Sequence, residues 1–233
     1  MSFVGRSVAR LEDGPLVTGR GRFAADVAFA HMLHMRVMRS AHAHGRIVSI
    51  DAAGAKSLPG VEAVWTFADV AKIPPIDFRL TRIEGLAPYR QTILASQKVR
   101  YVGDPVAAVF ASDPYLAEDA AEFVTVEIEE MPAIMDAWVA PGEFEDGRST
   151  EPAILEKTYG DLAAAFRAPH AVVELALSIG RHSGVPMETR GAIARYDTGR
   201  DVLELHGAAK VPHWNRDAIA RMLGRDPSTV HLY

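Results

Sequence analysis

Val124-Thr125-Val126-Glu127-Ile128-Glu129 alternates apolar and polar side chains with a period of two, placing Val124, Val126 and Ile128 on one face and Thr125, Glu127 and Glu129 on the other. This is the pattern of a strand with one face in water. Just before it, Asp113-Pro114 opens a helix expected to run to about Phe123. The aspartate can accept from the free N–H groups of the first turn, and the proline gives up an N–H that has no intrahelical partner anyway. Upstream again, Val99 to Ala111 reads as a buried strand interrupted by Gly103-Asp104-Pro105.

Working outward towards the N-terminus, Val61 to Phe67 gathers β-branched and aromatic residues as strands do. Asp51 to Leu58 is a short helical stretch closed by Pro59-Gly60. Leu33 to Met38 and Ile47 to Ile50 read as strands around a turn at His42-Ala43-His44-Gly45, and Ile73 to about Ser96, punctuated by Pro74, Pro75 and Pro88, reads as a long loop. Strand and helix signals from Gly14 to Val139 do not repeat as strand, helix, strand, which places the fold in the α+β class.

Towards the C-terminus, Ala140 to Glu156 is rich in Pro, Gly, Glu and Asp with little to bury, and a domain boundary is expected there. Beyond it, Asp161 to Arg167 reads as a capped helix, Ala171 to Ile179 as a strand, and Ala192 to Tyr196 with Val202 to His206 as a hairpin around Asp197-Thr198-Gly199-Arg200. Trp214 to Leu223 is a helix carrying Trp214, Ala218, Met222 and Leu223 on one stripe, with Gly224 at its C-terminal cap. Val230 to Tyr233 opens another strand, and with only about 80 residues after the boundary the chain is expected to be a piece of something larger.

The 233 residues are 48% apolar and 24% charged, which excludes whole-chain disorder. A formal charge of −5 without any basic run argues against nucleic acid as a partner. The absence of cysteine removes disulfides, thiolate metal sites, protein-held iron–sulfur clusters and a thiol nucleophile. No apolar stretch resembles an export signal or a membrane span, so a soluble, cytoplasmic protein is expected. Charge is unevenly spread: Lys72 to Arg100 holds six basic residues against two acidic ones, and Phe110 to Glu156 thirteen acidic ones against Arg148 alone. Such segments are either solvated faces or docking surfaces for partner subunits.

Few residues form a chemical constellation. His31, His34, His42 and His44 lack a metal-ligand spacing and a carboxylate in the same stretch, so they are read as hydrogen-bonding turn carbonyls, and no metal ligand is assigned. Gly19-Arg20-Gly21-Arg22 lacks the strand before and helix after that a phosphate loop needs, and reads as a turn. No nucleophile elbow is present and no Ser/His/Asp or paired-carboxylate arrangement can be argued, so no catalytic residue is assigned. Glu188 stands in the most polar stretch, either as a buried acid paired with Arg190 or Arg181 or as a pocket residue; spacing leaves both open.

Several stretches taken in order resemble the opening of the large, molybdopterin-binding subunit of the molybdenum hydroxylases, the family of xanthine dehydrogenase, aldehyde oxidase and carbon monoxide dehydrogenase. They are Val4-Gly5-Arg6-Ser7-Val8-Ala9-Arg10-Leu11-Glu12-Asp13, Arg39-Ser40-Ala41-His42-Ala43-His44-Gly45-Arg46-Ile47, Leu58-Pro59-Gly60-Val61, Tyr101-Val102-Gly103-Asp104-Pro105-Val106-Ala107 and Pro186-Met187-Glu188-Thr189-Arg190-Gly191. The resemblance implies an α/β hammerhead domain over residues 14–139, a linker over 140–156, and the beginning of the first molybdopterin-binding domain over 157–233. It further implies a molybdenum-pterin cofactor shared with the remaining molybdopterin-binding segment, FAD and 2Fe-2S clusters on other domains or subunits, and a small-molecule substrate such as an aldehyde or N-heterocycle.

Where many members of that family carry a glutamine near the molybdenum oxo groups, this sequence has Lys210. A lysine keeps a donor, loses the acceptor and adds charge, favouring anionic oxo groups or an anionic substrate. Its other reading is a solvated side chain ahead of Pro212. The family's Gly-rich cofactor loop and catalytic glutamate have no counterpart in these residues, so the chain alone is expected to be inactive, bracing and partly lining the cofactor pocket. A second reading, from another class, is a non-catalytic scaffold or assembly module that binds partner subunits.

Overall fold

The computed structural model describes residues 3–78, 83, 85–145, 147–180, 182–186, 188–207 and 210–233. In chain order these hold α1 (Asp13–Val17), β1 (His34–Arg39), β2 (Gly45–Asp51), α2 (Ala53–Lys56), β3 (Val61–Trp65), α3 (Phe67–Val70), β4 (Lys98–Val99), β5 (Pro105–Ala111), α4 (Pro114–Glu122), β6 (Thr125–Glu130), α5 (Leu162–Arg167), β7 (Ala192–Asp197), β8 (Val202–Gly207), α6 (Pro212–Met222) and β9 (Val230–Leu232). This is the α+β class expected from the order of signals.

The strands form three three-stranded sheets, ordered β1-β5-β3, β4-β2-β6 and β7-β8-β9. β5 is the centre of the first, antiparallel to both neighbours. Its Val106, Ala107, Ala108, Val109 and Ala111 are all buried, which is why the sequence there is an unbroken apolar run rather than an alternation. α4 lies against this sheet and contributes Ala120 to a core of Ala52, Ala55, Val64, Ala107, Val109 and Val124. A second cluster of Ala95, Val99 and Val106 lies beside it, and Ile50 and Val126 pack against both. β2 is the centre of the second sheet, antiparallel to β4 and β6. At its start a Cβ on Gly45 would stand 2.9 Å from the Glu129 carbonyl oxygen, so the neighbouring strand approaches too closely for any side chain.

Asp113 caps α4 as its position requires, accepting from the N–H groups of Tyr115 at 2.9 Å and Leu116 at 3.1 Å. Thr125, Glu127 and Glu129 of β6 are exposed, while Val124 is buried and Val126 and Ile128 are half-buried. The run from Val99 to Ala111 is divided between two sheets, because a turn through Gly103, at φ +98°, redirects the chain between β4 and β5. β3 ends at Trp65 rather than Phe67, since Thr66 caps α3 by donating its backbone N–H to Asp69 Oδ2 at 2.7 Å.

One expected strand is absent. Residues 171–179 form none of the described strand pairings, and without a neighbour to share backbone hydrogen bonds the stretch is not a strand here.

The chain divides into two compact units. One holds the residues up to Asp77 with Arg90–Met135 and Glu188–Tyr233; the other holds Phe78–Tyr89 and Asp136–Met187. In the second, Tyr89 stacks on Phe144 with ring centroids 4.9 Å apart and donates its hydroxyl to the Ser149 carbonyl at 2.7 Å. Among the described residues no helix is long and apolar enough to cross a membrane.

Candidate functional site

β7 and β8 form the expected hairpin, antiparallel from Ala192 opposite Gly207 to Asp197 opposite Val202. β9 adds parallel to β8, with Leu203 opposite Val230. The turn is tied by Arg200, which donates to Asp197 Oδ2 at 2.6 Å and to Glu204 Oε1 at 2.7 Å, satisfying the one acidic side chain that this sheet buries. Asp201 takes φ +53°, unusual for a side-chain-bearing residue, and Arg225 holds it there by donating to its carbonyl oxygen at 2.7 Å and its Oδ1 at 2.6 Å. Hydrogen bonds from the Tyr196 hydroxyl and then from Arg225 keep the Asp201 carboxyl below the usual carboxylate range. At the other end of the hairpin a Cβ on Gly207 would lie 2.5 Å from the Gly191 carbonyl oxygen, so glycine is required by close approach.

Beside this sheet α6 presents the stripe read from its sequence. Trp214, Ala218 and Met222 line a cavity of about 540 Å³ together with Ile76, Leu205 and Leu232. Of the expected stripe, Leu223 lies outside it and is exposed. His206 also lines the cavity, and sequence reasoning did not single it out. Its ring stacks on Tyr233 at 4.8 Å and lies 5.4 Å from Phe29, and its Nε2 is buried without a hydrogen-bond partner among the described residues. Nothing in its spacing marks it, since a histidine inside a strand is ordinarily a packing residue.

The residues singled out from the sequence do not converge. Lys210 is exposed, stands two residues before the first residue of α6, and does not line the cavity. Glu188 is half-buried and accepts from the Ala24 backbone N–H at 3.1 Å, a partner remote in sequence, and not from Arg190; Arg181 lies outside the described residues. His44 Nδ1 bonds the Pro132 carbonyl at 2.8 Å, as a turn histidine would, whereas His42 Nδ1 meets Glu130 Oε1 at 2.8 Å. The basic segment engages one of its own acids, Arg90 with Asp77 at 3.1 Å, and Arg46 pairs with Glu129 of the acidic segment across β2 and β6.

A pterin needs donors and acceptors along both edges of a flat ring, and its phosphate needs N–H groups or cations. Pro74, Pro75, Ile76, Ile219, Met222 and Leu232 offer the cavity no polar side-chain atom, and its Asp77 and Arg90 are spent on each other. No group of three or more His, Asp or Glu that could hold a metal occurs among the described residues. The remaining polar side chains of the lining are Trp214, Asn215, Arg221 and the unpartnered His206 imidazole, too few to meet both ring edges and the phosphate, so the cavity does not fit the cofactor on its own.

Residues 18–132 match the family described as aldehyde oxidase and xanthine dehydrogenase, a/b hammerhead domain, and residues 145–233 match the molybdopterin cofactor-binding domain. The chain thus belongs to the molybdenum hydroxylase family, whose members are molybdenum-dependent oxidoreductases, and corresponds to the N-terminal part of their large molybdopterin-binding subunits. It is 42% identical to the 6-hydroxypseudooxynicotine dehydrogenase complex subunit gamma of Paenarthrobacter nicotinovorans, over 99% of this chain and 30% of that protein. It is 35% identical to the nicotine 6-hydroxylase large subunit of the same organism, over 97% of this chain and 28% of that one. Quinoline 2-oxidoreductase from Pseudomonas putida 86 superimposes with a TM-score of 0.80 at 37% identity, over 98% of this chain and 30% of that one. The chain therefore spans about 30% of the length of these relatives.

Proposed function

We propose that this chain supplies one wall of the molybdenum-pterin pocket of a hydroxylase acting on N-heteroaromatic rings, and that its 233 residues are inactive by themselves. On this reading residues 14–139 brace the cofactor domain, 140–156 link, and 157–233 begin that domain. FAD and 2Fe-2S clusters sit on other domains or subunits, and the assembly is cytoplasmic. The observation that carries the reading is the end-to-end order of the two domain matches along the chain. The substrate class rests on the nicotine and quinoline in the names of similar proteins. Inactivity alone is supported by the cavity, whose mainly apolar lining offers few polar side chains to a pterin.

The test is to purify the chain alone and co-expressed with the part of the Paenarthrobacter nicotinovorans gamma subunit that has no counterpart here, together with that complex's other subunits. Molybdenum and oxidation of nicotine or quinoline by a dye acceptor are expected only in the assembly. Molybdenum retained by the isolated chain, or an assembly that oxidises aldehydes alone, overturns the reading.

Lys210 is proposed to meet an anionic group in the assembled pocket, and its side chain has no ion-pair partner among the described residues. Lys210→Gln in the active assembly is expected to raise KM for nicotinate about tenfold, the ~1.4 kcal/mol of one charge-assisted contact, and to leave KM for neutral quinoline unchanged. Equal KM values for both substrates before and after substitution assign Lys210 to solvent.

A further inference from the structure

Residues 171–180 run without helix, turn or bend, and large apolar side chains recur at every second position. Val173 is 87% exposed, Leu175 73%, Leu177 80% and Ile179 86%. From Val173 onward the interleaved positions carry Glu174, Ala176 and Ser178, which are small or polar; Val172, before them, is apolar on that opposite face. A period-two apolar face is what a half-buried strand requires, and it has no use in a solvated loop. The other strand-like stretches foreseen in the sequence all pair within the described residues, and this one does not.

The geometry points to residues 171–179 being a strand whose neighbour is an edge strand of the remaining molybdopterin-binding segment of the large subunit, with the Val173, Leu175, Leu177, Ile179 face packed into that segment's core. This rests on the reading of the chain as part of a molybdenum hydroxylase large subunit. Two observations select that occupant. The stretch lies inside the part matching the molybdopterin cofactor-binding domain, residues 145–233. The relatives are also more than three times as long as the portion matched, so most of their large subunit has no counterpart in these residues. A second copy of this chain is a poorer fit, because two identical segments pairing alone make a two-stranded ribbon, which is marginal in water. Backbone pairing would supply the register, and the alternate side chains would supply specificity, as in other strand additions.

The probe is the segment of the Paenarthrobacter nicotinovorans gamma subunit beyond the matched portion, co-expressed with this chain. Hydrogen–deuterium exchange of amides 172–179 is expected to be slowed roughly tenfold or more in the complex relative to the chain alone. Replacing two residues of the apolar face, Leu175→Lys with Leu177→Lys, is expected to weaken co-purification at least tenfold, whereas Ser178→Lys on the opposite face retains it. Because these side chains are exposed, the unfolding midpoint of the chain alone should be unchanged in both variants, which separates a docking defect from a folding one. Failure of the two polypeptides to associate, a complex whose amides 172–179 stay unprotected, or assembly of the double variant as well as the original chain overturns the proposal. So does protection in the chain alone with elution as a dimer. A complex that loads molybdenum but leaves these amides unprotected sinks the strand and spares the functional reading; protected amides without molybdenum do the reverse.

Discussion

Asp104 is the clearest case of a single side chain held against its own preference. It is 4% exposed, accepts from the Arg100 N–H at 3.0 Å, and its own backbone ties Ser40 and Tyr101 across the turn before β5. Burial is the largest influence on its carboxyl and pushes it above the ordinary range, against the opposing pull of Arg100 and Arg39. A carboxyl raised on folding stabilises the protein below its unfolded value, and that contribution is lost as pH rises through the folded value. Asp104→Asn keeps an acceptor for Arg100 and removes the buried charge. Urea unfolding should show equal stability for the two proteins below about pH 4, and a gain of roughly 0.5 to 1 kcal/mol for the variant at pH 7. A less stable variant at pH 7 would refute the sign. The sequence marks this residue only as part of a Gly103-Asp104-Pro105 interruption; its burial comes from packing that no local pattern records.

At the level of elements, α4 shows how a local signal becomes a tertiary anchor. Asp113 and Pro114 set its start, and the face carrying Ala117 and Ala120 is buried against the β1-β5-β3 sheet. Asp113→Ala leaves two first-turn N–H groups without their side-chain acceptor and should cost about 1 kcal/mol, read as a lower denaturation midpoint with unchanged slope. This helix, β6 and the β7-β8 hairpin were legible because capping and alternation act over a few residues. The split between β4 and β5 was not, since Val99 and Val106 belong to one apolar cluster yet lie in strands of different sheets. The site was legible in smaller part: the α6 stripe stood in the sequence, whereas His206, opposite Ile193 of β7, entered the cavity lining through tertiary packing.

Across the whole molecule order is unequal. The described residues among 151–186 hold one helix, α5, and are exposed almost throughout, whereas β2, β5 and α4 enclose the buried core. Limited trypsin digestion followed by mass spectrometry should therefore cut at Lys157 and Arg167 at least roughly tenfold faster than at Arg46 or Lys98, which lie in paired strands. Equal rates would mean that the sheets open as readily as the exposed stretch.

The amino-acid order by itself determined the α+β class, most of the strands and helices, and through its chained motifs the family, because periodicity, caps and turn residues are properties of neighbouring positions. Tertiary structure alone decided which strands share a sheet, that Glu188 bonds a backbone amide far away in sequence rather than a nearby arginine, and that 171–179 pairs with none of the described strands. A strand is completed by the chain beside it, and a sequence read along its own length does not contain that second dimension.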